Sequence, residues 1–179
     1  MKLDTSIPRL TSVSLYMLLK RHALLPVSLG EECLQRAIHA TANAATFMAV
    51  TEGEGQGKGV VASILTYPLE PGVLGIMWIP ETKGLNKDKR GLWALSESLR
   101  EIWFQGDIRR VEARVAKSRI QTIKALKVMG FRQETTDHGI RQAVDYGKGW
   151  ESMLILGMLD TDTVRKHEPC LNMETEGVA

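Results

Sequence analysis

Residues 115–134 read VAKSRIQTIKALKVMGFRQE, and the fold turns on how that stretch is divided. Ser118 is a short polar residue suited to capping a helix N-terminus, because its side-chain oxygen can accept a free first-turn N–H. The run RIQTIKALKVM then suits a helix. Gly130 ends it where a glycine can take the left-handed conformation that closes a last turn. Just upstream, RRVEARVA alternates Val111, Ala113 and Val115 with Arg110, Glu112 and Arg114, which is the period of a half-buried strand. Downstream, FRQETTDHGIRQAVDYGKGW and ESMLILGML read as a last pair of strands. Met153 to Leu159 is apolar on both faces, as a central strand requires.

Before residue 110 the pattern predicts two helices, over 13–21 and 29–42, and then three strands in ATFMAVTE, VVASILTY and VLGIMWIP. The turns between these strands are short, so they form an antiparallel meander. Leu92, Leu95, Leu99 and Ile102 mark one stripe of a further helix, with Trp93 and Trp103 read as packing on similar sides of it. The order is two helices, three strands, helix, strand, helix, two strands. That is α+β with one or two strand–helix–strand crossovers. Residues 1–159 form one domain, and from Asp160 to Ala179 the composition becomes that of a polar tail.

A chain of 179 residues with 44% hydrophobic and 25% charged residues has an ordinary globular composition. A formal net charge of +2 predicts no strong non-specific affinity for nucleic acid or anionic membrane. The longest apolar stretches are too short to span a bilayer, and the N-terminus lacks the apolar run of a secretory signal, so a cytoplasmic location is expected. Cys33 and Cys170 show no metal-type spacing, and His22, His39, His138 and His167 are scattered, so no metal site is expected.

The chain resembles the Gcn5-related N-acetyltransferases, the GNAT superfamily, over about residues 45–159. Gly130–Phe131, Arg141 and Trp150–Glu151 carry the resemblance, in the order and spacing of that family. It implies a mixed sheet, an antiparallel meander plus a central parallel strand pair, flanked by helices. It also implies an acyl-coenzyme A pyrophosphate seated on the helix after the fourth strand, where free N–H groups and the helix dipole favour an anion. Arg90, Gly91, Leu92 and Trp93 fall on that loop. The family places further glycines where Trp93 and Leu95 stand, and its Asn and Tyr on the next helix correspond here to Arg119 and Leu126. Realigning the loop on PETKGLN retains only Gly84. These departures lead to the expectation of a non-catalytic domain, without cofactor, acting through protein–protein contacts. A further resemblance to GNAT-like proteins of short-tailed bacteriophages implies a part in head or virion assembly. The expected partners are then phage structural or assembly proteins, or a second copy, in the host cytoplasm or the virion. The alternative is an acyl-coenzyme A-dependent N-acetyltransferase using acetyl-coenzyme A, with Glu81 or Glu112 as general base.

GEGQGKG, residues 53–59, has the glycines of a phosphate loop but the wrong spacing and no following helix, so it reads as a hairpin tip. Lys117, Arg119, Lys124, Lys127 and Arg132 cluster around one helix and read as a solvated face. Without interleaved aromatics they do not suggest nucleic-acid binding.

Overall fold

The computed structural model describes residues 2–4, 11–27, 29–52, 59–82 and 85–161. The hairpin tip at 53–58, Gly84 and the tail beyond residue 161 lie outside them. The elements are β1 (Lys2–Asp4), α1 (Ser12–Arg21), α2 (Glu31–Ala44), β2 (Thr46–Glu52), β3 (Gly59–Glu70), β4 (Val73–Pro80), α3 (Lys89–Trp103), β5 (Arg110–Ala116), α4 (Ile120–Val128), β6 (Arg132–Gln133), β7 (Ile140–Asp145) and β8 (Trp150–Leu159). The architecture is the α+β one expected, with β1 added at the edge of the meander and the expected last pair of strands replaced by three, because residues 131–150 form two separate short strands, β6 and β7.

The sheet runs β1-β2-β3-β4-β5-β8, and β6 and β7 share the outer edge of β8. All pairs are antiparallel except β4 with β5. Side-chain alternation sends successive residues to opposite faces. On one face Ile64, Ile76, Val111, Ala113, Leu154 and Leu156 pack with Leu92, Leu99, Trp103 and Leu126 from α3 and α4. On the other, Leu65 and Ile79 pack with Leu15, Leu19, Ile38 and Ala42 from α1 and α2. Two helix pairs therefore sandwich one sheet.

Three local readings need correction. The N-cap of α4 is Arg119, with no side-chain capping bond, and not Ser118. Strand β3 runs past Tyr67 to Glu70; Pro68 is accommodated beside a register irregularity, where its missing N–H interrupts the ladder least. Trp93 and Trp103 do not share a side of α3. Ten residues at 100° leave them about 80° apart, so Trp103 is buried while Trp93 is 38% exposed.

The feature that positions the site is the parallel pair. Its register runs from Val73↔Arg110 to Ile76↔Ala113 and stops, although β4 continues to Pro80 and β5 to Ala116. The strands separate over their last residues. α3 begins beyond the separated end of β4, and α4 beyond that of β5.

Candidate active site

At the open end of this splay lies a cleft of about 640 Å³, walled by the end of α1, Pro80, the first turn of α4 and the turn between β7 and β8. Each wall is set by local chemistry. α1 ends in a Schellman turn. The Leu24 amide donates to the Leu19 carbonyl at 2.8 Å and the Ala23 amide to that of Lys20 at 3.1 Å. Ala23 takes the left-handed conformation, φ 49°, which glycine usually supplies. This turn brings His22 to the cleft. Arg119, on the position corresponding to the family Asn, donates from Nη2 to the His22 carbonyl at 3.0 Å and to that of Ala23. Its guanidinium also lies 5.6 Å from the centre of the Tyr146 ring. One side chain thus ties α4 to the end of α1 and to the β7–β8 turn. It belongs to this knot and not to a free basic face. Burial pushes the Tyr146 phenol up from its ordinary value, against the lowering effect of Arg119, and Glu151 adds to the rise.

Glu81 directly follows β4. Its carboxylate accepts from the Ser63 hydroxyl at 2.9 Å through Oε1, and its Oε2 lies 3.1 Å from His22 Nε2. Arg21 Nη1 stands 4.0 Å from the same Oε2. The Glu81 and His22 side chains are only 15% and 17% exposed, so the pair is largely desolvated. Sequence reasoning found Glu81 but not His22, which lies 59 positions earlier on another element; nothing local marks it.

Glu112 is elsewhere. It sits in register with Gly75, six residues before Glu81, so the two residues lie roughly 20 Å apart along the sheet. Arg114 Nε donates to Glu112 at 2.8 Å and Arg110 Nη2 at 3.1 Å, while Arg110 also pairs with Glu134. Burial would raise the Glu112 carboxyl, but the bonds from Arg114 and Arg110 outweigh it and hold it below the usual range. A carboxylate held this way is a poor proton acceptor. The glycines beside it leave room for what covers it. A Cβ on Gly75 would meet Tyr67 Cε2 at 2.6 Å, and one on Gly157 would collide with the Glu134 carboxylate.

At the start of α3 the expected cofactor residues divide. The Gly91 amide donates to the Asp88 carboxylate at 2.8 Å and the Leu92 amide to the Asp88 carbonyl at 3.0 Å. Trp93 lies far enough into the helix for its amide to be spent on the helix itself. Only Arg90, with Lys89 before it, keeps a first-turn amide that no helix carbonyl can reach. Lys87, Lys89 and Arg90 are all exposed around it. The side chains that suggested a closed loop do not fill it: Leu92 and Leu95 are in the core and Trp93 faces outward. Leu126 is fully buried and has no part in the cleft. Among the described residues no cluster suited to a metal is found, and no helix is long and apolar enough to cross a membrane.

Solved structures share this fold. A point mutant of the spermidine N-acetyltransferase SpeG of Vibrio cholerae matches over 94% of this chain and 100% of its own, with a TM-score of 0.59 and 14% identity. The chain has the GNAT fold. A ribosomal-protein-S5-alanine acetyltransferase from Vibrio fischeri matches over 90% and 92%, with a TM-score of 0.56 and 16% identity. A GNAT-family acetyltransferase from Bacillus anthracis matches over 75% and 77%, at 0.53 and 16%. No protein-family model and no curated protein matches the sequence. These neighbours correct the expectation of a non-catalytic virion-assembly protein. The GNAT fold is here shared with acetyltransferases across nearly the whole chain, and nothing in the comparison points to a phage particle.

Proposed function

We propose that the chain is an acyl-coenzyme A-dependent N-acyltransferase acting on an amine. The observation that carries this reading is the splayed β4–β5 pair with the desolvated Glu81–His22 pair at its open end, beside a cleft large enough for an acceptor. Where the strands separate, the β4 backbone groups beyond Ile76 that face β5 have no partner on that strand, and such groups suit the amides of a pantetheine arm. Around the start of α3, Arg90, Lys89 and Lys87 are the cations suited to the phosphates. Of Arg90, Gly91, Leu92 and Trp93, Arg90 therefore carries the binding, and Asp88 takes up the Gly91 donor. The bound cofactor supplies an acyl group activated as a thioester.

An amine attacks only as the free base, so a group that removes its proton inside a partly closed site speeds the transfer. The Glu81–His22 pair is the one set of titratable partners among the described residues that joins the end of β4 to the cleft. The spermidine and ribosomal-protein-alanine acetyltransferases among the neighbours support an amine as acceptor. The test is incubation with acetyl-coenzyme A and a panel of amines: spermidine, an alanine-terminated peptide and a lysine peptide. Thiol release and product mass are the readouts. Acetylation of at least one class, with stoichiometric thiol release, is expected. No transfer to any of them would contradict the reading.

A further inference from the structure

We propose that the imidazole of His22 takes the proton from the acceptor amine, and that Glu81 and Ser63 are positioning residues. The inference rests on the N-acyltransferase reading and deepens it. His22 lines the cleft, whereas Glu81 stands behind it, facing Ser63 and the imidazole. An ionised carboxylate only accepts hydrogen bonds. In the neutral ring, the 3.1 Å bond to an ionised Glu81 places the proton on Nε2 and leaves the lone pair on Nδ1. Nδ1 has no hydrogen-bond partner among the described residues. Ser63, 2% exposed, fixes the other carboxylate oxygen, so the carboxylate cannot swing into the cleft without breaking that bond.

Two further contacts hold the ring's backbone. The Schellman turn and the Arg119 bond to the His22 carbonyl fix residue 22 without using its side chain. In the transfer the amine nitrogen forms a bond to the acyl carbon, the carbon–sulfur bond breaks with its electron pair leaving on the thiolate, and the amine proton passes to Nδ1. The charge this creates on the ring is stabilised by the carboxylate behind it, as a buried carboxylate stabilises an imidazolium in hydrolase triads.

The arrangement also orders the effects of substitution. His22→Ala removes the acceptor but keeps the carbonyl that Arg119 binds. Glu81→Gln keeps a carbonyl oxygen that can hold Nε2–H; it loses the charge, and its amide N–H then donates to the Ser63 hydroxyl, which now accepts. Two measurements test the assignment on the unmodified full chain and these variants. Long-range ¹H–¹⁵N spectra of the cofactor-free protein, followed through a pH titration to the plateau where the ring is neutral, should show His22 as the Nε2–H tautomer, and an Nδ1–H tautomer would overturn the assignment. In acetyl transfer, His22→Ala should lose about 100-fold or more in kcat, with the KM for acetyl-coenzyme A unchanged and part of kcat restored by added imidazole. His22→Gln should behave alike but resist rescue. Glu81→Gln should lose only about tenfold in kcat. A dead Glu81→Gln beside an active His22→Ala would make the carboxylate the acceptor and refute the assignment alone. An unmodified protein that transfers no acetyl group would overturn the transferase reading, and this assignment with it.

Discussion

Among the described residues Ala23 is the one non-glycine with a positive φ, and it lies at the rim of the cleft. Left-handed backbone costs a residue with a Cβ roughly 1–2 kcal/mol. The Schellman bonds and Arg119 hold it there. Ala23→Gly should therefore stabilise the protein. The gain should be about 1 kcal/mol after glycine's greater unfolded-state entropy is subtracted, or roughly 2–4 °C in Tm. Glu112 makes a second prediction. Its carboxyl titrates lower in the folded protein than in the unfolded chain, so its stabilisation is present above about pH 4.3 and is lost as pH falls through the folded value. Glu112→Gln should be less stable than the parent at about pH 7, with the difference closing in denaturation curves below about pH 4. A gap that does not narrow at all as pH falls would show that the hydrogen-bond geometry matters and the charge does not.

At the scale of elements, α3 and α4 are joined by a buried polar contact that apolar patterning does not foretell. The Ser96 hydroxyl donates to the Met129 carbonyl at 2.6 Å, and Ser96 is fully buried. Ser96→Ala would leave that carbonyl without its partner. The expected cost is about 1–3 kcal/mol, read as a shift in the denaturation midpoint without a change in slope. Beside it Phe131 meets Trp103 edge-on, with ring centroids 5.9 Å apart. The helices, the meander and the crossover through α4 were legible in the sequence because burial on one face imposes a period, and Val111, Ala113 and Val115 or Leu92, Leu95 and Leu99 display it. Strand β1 was not, since three residues carry no period. The side on which Trp93 lies needed the helical angle and not the residue type. The site was half legible. Glu81 could be placed at a strand end, but His22, Ser63 and Arg119 meet around it only through the fold. The carboxylate–arginine network around Glu112 likewise depends on cross-strand geometry.

Taken whole, the molecule is a sheet opened between β4 and β5, with Lys87, Lys89 and Arg90 beyond the end of β4 and the Glu81–His22 pair beside the cleft. The proposed function stands or falls on whether this opening takes an acyl-coenzyme A. A ligand that binds only the native state, at about 100 times its dissociation constant, stabilises it by roughly 2.7 kcal/mol. For a chain of this size each kcal/mol raises Tm by about 2–4 °C. Thermal unfolding of the purified protein with increasing acetyl-coenzyme A is therefore the direct measurement. A saturable rise of about 5–11 °C is predicted, diminished in Arg90→Ala. No rise at millimolar acetyl-coenzyme A, or a rise indifferent to Arg90→Ala and matched by inorganic pyrophosphate, would contradict it.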